Sequence, residues 1–309
     1  MKSQRIFLAP MEGITTYIFR NALHKYYGGV DAFYSPFIST HRNKNLSNKE
    51  LRDILPENNA ELTLIPQVLS SNAQDFLSTI PQITELGYKH INLNFGCPSG
   101  TVTAKGKGAG ILLDPHNVET FLDAIFTKAD YSISVKTRLG FDFYEEWEDL
   151  LKVYKKFPLK ELTIHARVRQ DFYKGTAKWE IVRDTLEDSS IPFPIIYNGD
   201  IFTPADASLM QERMPSLYGI MIGRGLITNP GLALSIKENR QTDLATFKAF
   251  HTELLANYQN LLCDERNTLF KIKELWPYMA SRFEDSAKLL KMVQKCKSIR
   301  EYESILRSL

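Results

Sequence analysis

The chain has 309 residues, 43% of them hydrophobic, and a formal net charge of only +2. That is enough material for a large core or a core with an appendage, and it excludes a strong whole-molecule field: any pull on a polyanion must come from local patches. Three widely spaced cysteines, Cys97, Cys263 and Cys296, exclude a disulfide framework and fit a reducing compartment.

No apolar run reaches about 18 residues, and Met1-Lys2-Ser3-Gln4-Arg5 lacks the features of a leader, so a soluble, cytoplasmic protein is expected. Short β-branched runs then recur with helical stretches between them. Strands are predicted at 6–9, 32–37, 62–68, 91–95, 133–137, 162–165, 195–198 and 219–222. Helices are predicted near 15–27, 72–86, 115–129, 145–156, 178–187, 203–213 and 230–238. Asn72, Asp114-Pro115 and Thr203-Pro204 supply start signals, a capping side chain or a proline in the first turn. Strands in strict alternation with helices predict a parallel α/β sheet, and eight of them favour a closed (β/α)8 TIM barrel over an open doubly wound sheet. The first strand runs into Ala9-Pro10-Met11-Glu12-Gly13, without the glycine fingerprint of a dinucleotide fold.

Beyond about residue 241 the strand signals stop. The expected division is a barrel domain, 1–240, and a small C-terminal helical bundle, 241–309, of three or four helices. From Arg266 onward ten Lys and Arg stand against five Asp and Glu. Lys288, Lys291 and Lys295 share one helical face, while Leu289, Val293 and Cys296 share another, which reads Cys296 as a core residue. Cys263 is read as structural too.

In a barrel the carboxyl ends of the strands carry function. Here those ends bear Pro10, Met11 and Glu12, then Gln67, Asn94 and Cys97, then Lys136 and Arg138. His165 and Arg167 follow, then Asn198, Gly199 and Asp200, and last Gly223-Arg224-Gly225. The glycines after strands seven and eight let backbone N–H groups approach a phosphate, and Arg224 adds a fork of donors. Gln67 and Lys136 would face a flat ring, the lysine stabilising its anionic reduced form. Ring and phosphate together point to flavin mononucleotide (FMN). The run Lys105-Gly106-Lys107-Gly108-Ala109-Gly110 lacks the order of a phosphate loop and is read as a mobile substrate lid. No His/Cys/Asp cluster has metal-ligand spacing, so no metal is expected.

These stretches together resemble the tRNA-dihydrouridine synthase family. The resemblance lies in Asn94-Phe95-Gly96-Cys97-Pro98 with Val102 and Gly108-Ala109-Gly110, and in Ala9-Pro10-Met11-Glu12-Gly13. It continues in Val135-Lys136-Thr137-Arg138-Leu139-Gly140, His165-Ala166-Arg167, Asn198-Gly199-Asp200-Ile201 and Met221-Ile222-Gly223-Arg224-Gly225. Six motifs in register are far more specific than one. The resemblance implies an FMN enzyme that uses NADPH to reduce the C5–C6 bond of selected uridines in tRNA. It places Pro10, Met11, Glu12, Gln67, Lys136, His165, Asn198, Gly199, Asp200, Gly223 and Arg224 around FMN. It makes Cys97 the proton donor to C5 after hydride reaches C6, with Asn94 positioning the base. The tail is similar to the family's RNA-binding domain, and Lys105, Lys107, Arg138, Arg167, Lys288, Lys291 and Lys295 are the expected RNA contacts. The sequence departs from the family pattern after Arg167, where threonine and, three residues on, glutamine often stand: here are Val168 and Asp171. A monomer is expected. Two alternatives stay open at this level: an FMN barrel oxidoreductase acting on a small molecule, which needs no basic tail, and a non-catalytic RNA-binding barrel.

Overall fold

The computed structural model describes residues 4–309. Its strands are β1 (Ile6–Leu8), β2 (Ala32–Tyr34), β3 (Ile38–Ser39), β4 (Leu64–Ile65), β5 (Gln67–Leu69), β6 (His90–Phe95), β7 (Ser132–Gly140), β8 (Leu162–Val168), β9 (Ile195–Asn198) and β10 (Gly219–Ile222). All pair in parallel, in the order β3-β5-β6-β7-β8-β9-β10-β1-β2-β4. Ten segments make eight staves. β2 and β3 are two parts of one interrupted stave, and β4 and β5 are two parts of the next, with Pro66 between them. Because β2 pairs with β4 and β3 pairs with β5, the sheet closes on itself as a TIM-like barrel. Proline has no N–H for the ladder, which explains the break. The neighbouring Gln67 N–H is taken instead by Ser35 Oγ at 3.0 Å.

The predicted helix starts are present. Asn72 accepts from the Asp75 N–H, Asp114 from the His116 N–H with Pro115 following, and Thr203 forms a reciprocal cap with Asp206. The predicted 72–86 helix divides into Ala73–Thr79 and Pro81–Thr84, since Pro81 has no N–H to continue the ladder. A helix absent from the sequence reading, Asn48–Ile54, is opened by a Ser47–Glu50 capping box.

Along β6 the two faces separate by period two. Ile91, Leu93 and Phe95 join the outer core against the helices, with Phe95 edge-on to Phe121 at 5.9 Å. Asn92 and Asn94 point into the barrel among polar neighbours.

The tail contains five α-helices: Leu244–Leu262, Glu265–Lys273, Trp276–Met279, Ser286–Lys295 and Ile299–Ser308. Phe250 packs on Phe19 at 5.8 Å and on Tyr27 at 5.4 Å, so the long tail helix lies against the first barrel helix, Tyr17–Tyr26. One continuous hydrophobic core runs from barrel to tail. Inside the tail His251 sits between the Tyr302 hydroxyl and the Met279 sulfur, each 2.9 Å away, and burial pushes its pKa down to about 3. Cys296 is buried as expected, whereas Cys263 is exposed. Cys263 caps the long helix in a left-handed conformation, so it fills a turn and no core.

Candidate active site

A cavity of about 310 Å³ opens at the carboxyl ends of the strands. Its walls include Pro10, Met11, Glu12, Asn94, Cys97, Lys136, Arg138, His165, Asn198, Gly199, Gly223 and Arg224. Small-molecule sites commonly run from about 300 to 1,000 Å³. The strand ends thus meet in one place, with three exceptions: Gln67, Arg167 and Asp200. Gln67 is fully buried and absent from the lining: its amide lies one layer below, donating to Asn92 Oδ1 at 2.7 Å and accepting from Asn94 Nδ2 at 2.8 Å. Asp200 also stands behind the lining, where it pairs with both Arg167 and Arg224.

The cysteine corner is held from three sides. Asn94 Oδ1 accepts the backbone N–H groups of Gly96 and Cys97 at 3.1 and 2.9 Å. Arg138 donates to the carbonyls of Gly96, Val168 and Phe172 at 2.8 to 3.0 Å, tying the corner to the loop after β8. From below, Gly108 lies so close that a Cβ would stand 2.8 Å from the Cys97 carbonyl and 2.9 Å from its Cβ, and its φ of +57° also favours glycine. The Ala109 N–H donates to the Cys97 carbonyl at 3.0 Å. This corrects the expected lid. Gly108–Leu113 is a 3-10 helix whose first five residues are buried, because its glycines bring backbone against backbone under the thiol.

Burial raises the Cys97 pKa, so its thiol stays protonated near neutrality; Arg138 and Lys136 oppose that by favouring the thiolate. The Lys136 amine makes no hydrogen bond or ion pair with any described residue, and burial together with Arg138 pushes it down to about 7. His165 is pushed well below its ordinary value by burial and by Arg138, Lys136, Arg167 and Arg224, so it is a neutral ring. Four basic side chains meet here, and Asp200 is shared by two of them. Such a surplus of positive charge suits an anionic ligand.

The expected RNA contacts divide. Lys105, Lys288, Lys291 and Lys295 are exposed. Lys107 is tethered, donating to the Thr40 carbonyl at 3.0 Å. Arg138 and Arg167 are 1% exposed and committed to carbonyls and Asp200, so neither offers its guanidinium at the surface. Strand periodicity pointed to strand ends without saying how far each side chain reaches, hence these corrections. Asp171, where the family pattern has another residue, accepts from the Tyr144 hydroxyl at 2.5 Å and the Val168 N–H at 3.2 Å, bracing its own loop.

The sequence reading missed several aromatic walls: Phe37, Phe202 and Tyr278. Arg224 lies 4.6 Å from the Tyr173 ring centre and 5.4 Å from that of Phe202. Tyr278 comes from the tail helix Trp276–Met279, so the tail supplies part of the cavity. No periodicity marks a tail residue as facing a barrel mouth.

A closed parallel barrel with a cationic, aromatic-walled cavity over its strand ends and a thiol inside it defines the class: a TIM-like barrel with a pocket placed where such barrels carry their active sites. The chain belongs to the dihydrouridine synthase family, whose model matches residues 7–306. A probable tRNA-dihydrouridine synthase of Staphylococcus aureus (strain COL) is 29% identical over 308 residues, covering 97% of this chain and 91% of its own. A probable tRNA-dihydrouridine synthase 2 of Bacillus subtilis (strain 168) is 27% identical over 304 residues, with 97% and 92% covered. A solved structure of a variant of NCR from Zymomonas mobilis superposes with a TM-score of 0.53 at 12% identity, covering 77% of this chain and 88% of that one; it shows the fold alone. Membership places the protein among oxidoreductases acting on uridine in tRNA, and separates it from the small-molecule and non-catalytic alternatives.

Proposed function

We propose that the protein reduces the C5–C6 bond of tRNA uridines with FMN as resident cofactor and NADPH as reductant, and that Cys97 is the acid. The observation that carries this is that one cavity holds both the Cys97 thiol, whose pKa burial raises, and a lysine amine with no partner among the described residues. The residues present fit the cofactor. Gly199, Gly223 and Arg224 line one wall, where the leading N–H groups of the helix Arg224–Thr228 lack intrahelical acceptors and suit a phosphate. Lys136 and the neutral His165 stand where an electron-rich ring needs donors. When bound, the flavin supplies the hydride that adds at C6 of the uracil.

The chain's own residues do the rest. The Cys97 S–H bond breaks as its proton goes to C5, and the thiolate left behind faces Arg138 and Lys136, which stabilise it. Asn94, fixed by the corner's own N–H groups, orients the base. The uridine must leave its stack, at a few kcal/mol, and aromatic walls such as Tyr173 and Tyr278 suit a flat ring. The exposed Lys105, Lys288, Lys291 and Lys295 suit RNA phosphates, in keeping with a tRNA-binding role for 241–309. Purified protein should carry a flavin absorbance and, with NADPH, convert unmodified tRNA to its dihydrouridine form. A colourless protein that takes up no FMN would overturn the cofactor; a flavoprotein that leaves tRNA unchanged would overturn the substrate.

A further inference from the structure

Beneath the cavity a line of polar side chains runs through the barrel interior. Gln67 registers with Asn92 across β5 and β6, and Asn92 with Ser134 across β6 and β7, so all three lie in one layer. All three are fully buried. The polarity of the line is set at its upper end. Two backbone N–H groups point at Asn94 and cannot be reversed, so its oxygen must face them and its nitrogen must face away. Asn94 Nδ2 then donates to Gln67 Oε1 at 2.8 Å, Gln67 Nε2 to Asn92 Oδ1 at 2.7 Å, and Asn92 Nδ2 to Ser134 Oγ at 2.8 Å. Ser134 Oγ lies 2.8 Å from His90 Nε2. Having accepted from Asn92, the hydroxyl can donate to that nitrogen in the tautomer of the neutral ring that carries its proton on Nδ1. Burial keeps His90 neutral, pushing it down to about 4, with Lys160 acting in the same sense.

We propose that His90, Ser134, Asn92 and Gln67 form a one-way positioning relay that holds Asn94, and through it the Cys97 corner, in its working orientation. It rests on the role proposed for Cys97. A buried amide line has two polarities, and the wrong one would turn the Asn94 nitrogen toward two N–H donors. With the polarity fixed at Asn94, His90 completes the line from the far end, two side-chain layers from any reacting atom, by giving the Ser134 hydroxyl an acceptor. The relay also gives Gln67 a task other than direct contact with a cofactor.

The test compares His90→Leu, which removes the acceptor, with His90→Gln, whose terminal oxygen restores one, and with Ser134→Ala. Hydrogen exchange at the Gly96 and Cys97 amides of the full chain should quicken about tenfold in His90→Leu and Ser134→Ala. In the same two variants kcat on tRNA should fall about fivefold, while KM and flavin content stay within about twofold. His90→Gln should return both readings to within about twofold of the parent. Unchanged exchange in His90→Leu, or equal losses in His90→Leu and His90→Gln, would overturn the relay. Should Ser134→Ala not fold, the His90 pair decides, since His90 is only half-buried. Failure of the parent protein to act on tRNA would sink the proposed function, yet the exchange comparison would still decide the relay.

Discussion

The two sides of the barrel interior differ in chemistry. On one, Phe7, Ala9, Ala32, Tyr34, Ile65, Ile196 and Met221 form a small apolar cluster. On the other, β5 to β8 turn Gln67, Asn92, Asn94, Ser134, Lys136 and His165 inward. The apolar side stabilises through burial, which has no direction and tolerates exchange of one hydrocarbon for another of similar volume. The polar side is directional: each amide must face the right way or leave a buried group unpaired. Within the barrel interior, burial therefore dominates one wall and directional hydrogen bonding the other, and the cysteine corner stands on the polar wall.

That division can be broken by experiment. The largest effect expected is from Cys97→Ala, which should lower turnover on tRNA by about 10² to 10⁴, the usual worth of a general acid, with little change in melting temperature. Turnover within a few-fold of the parent would remove Cys97 as the acid. On the apolar wall the outcome should invert: Ile196→Ala should lower stability by about 2–5 kcal/mol in urea denaturation while activity well below the melting point persists. Loss of activity without loss of stability there would erase the contrast.

Lys136 adds a pH signature to the polar wall. Burial and Arg138 push its amine down to about 7 in the folded chain, against an ordinary value of 10.5. Between those values the unfolded chain holds a proton that the folded chain has released, so ligand-free stability should rise with pH across that window. Lys136→Met should abolish that part of the rise, as read by denaturation at several pH values. Buried histidines act in the acid range: with His90 at about 4 and His251 at about 3, stability should fall as pH drops below about 6.5. A melting temperature flat from pH 6.5 to 4 would contradict their burial as neutral rings. The smallest effect concerns polarity outside the barrel. Changing Lys288, Lys291 and Lys295 to Ala should weaken tRNA binding and reduce the slope of its salt dependence by about 3, with the cavity's flavin binding untouched.

Much of this was legible in advance. Apolar runs alternating with helical stretches announced a parallel barrel because strands covered on both faces must be nearly continuous in hydrocarbon. The caps at Asn72, Asp114 and Thr203 were legible because a helix start is a local hydrogen bond between residues two or three apart. Cys97, Lys136, His165 and Arg224 were legible as neighbours because barrel topology brings strand ends to one rim. The breaks in two staves were not foreseen, although Pro66 stood in view within one of them. Reading the glycine-lysine run as a lid failed because composition gives mobility to a free loop, and this one is packed under Cys97.

The amino-acid order alone thus dictated elements, their succession and the rim on which chemistry would gather, since these follow from period, capping and strand direction. Depth and partnership came from folding. Whether Arg138 and Arg167 meet solvent or carbonyls, whether Gln67 touches the cavity or supports Asn94, and that Tyr278 of the tail lines the barrel mouth depend on residues far apart in the chain. A side chain's reach, charge state and hydrogen-bond polarity are set by what surrounds it, and that surrounding exists only once the barrel has closed and the tail has docked.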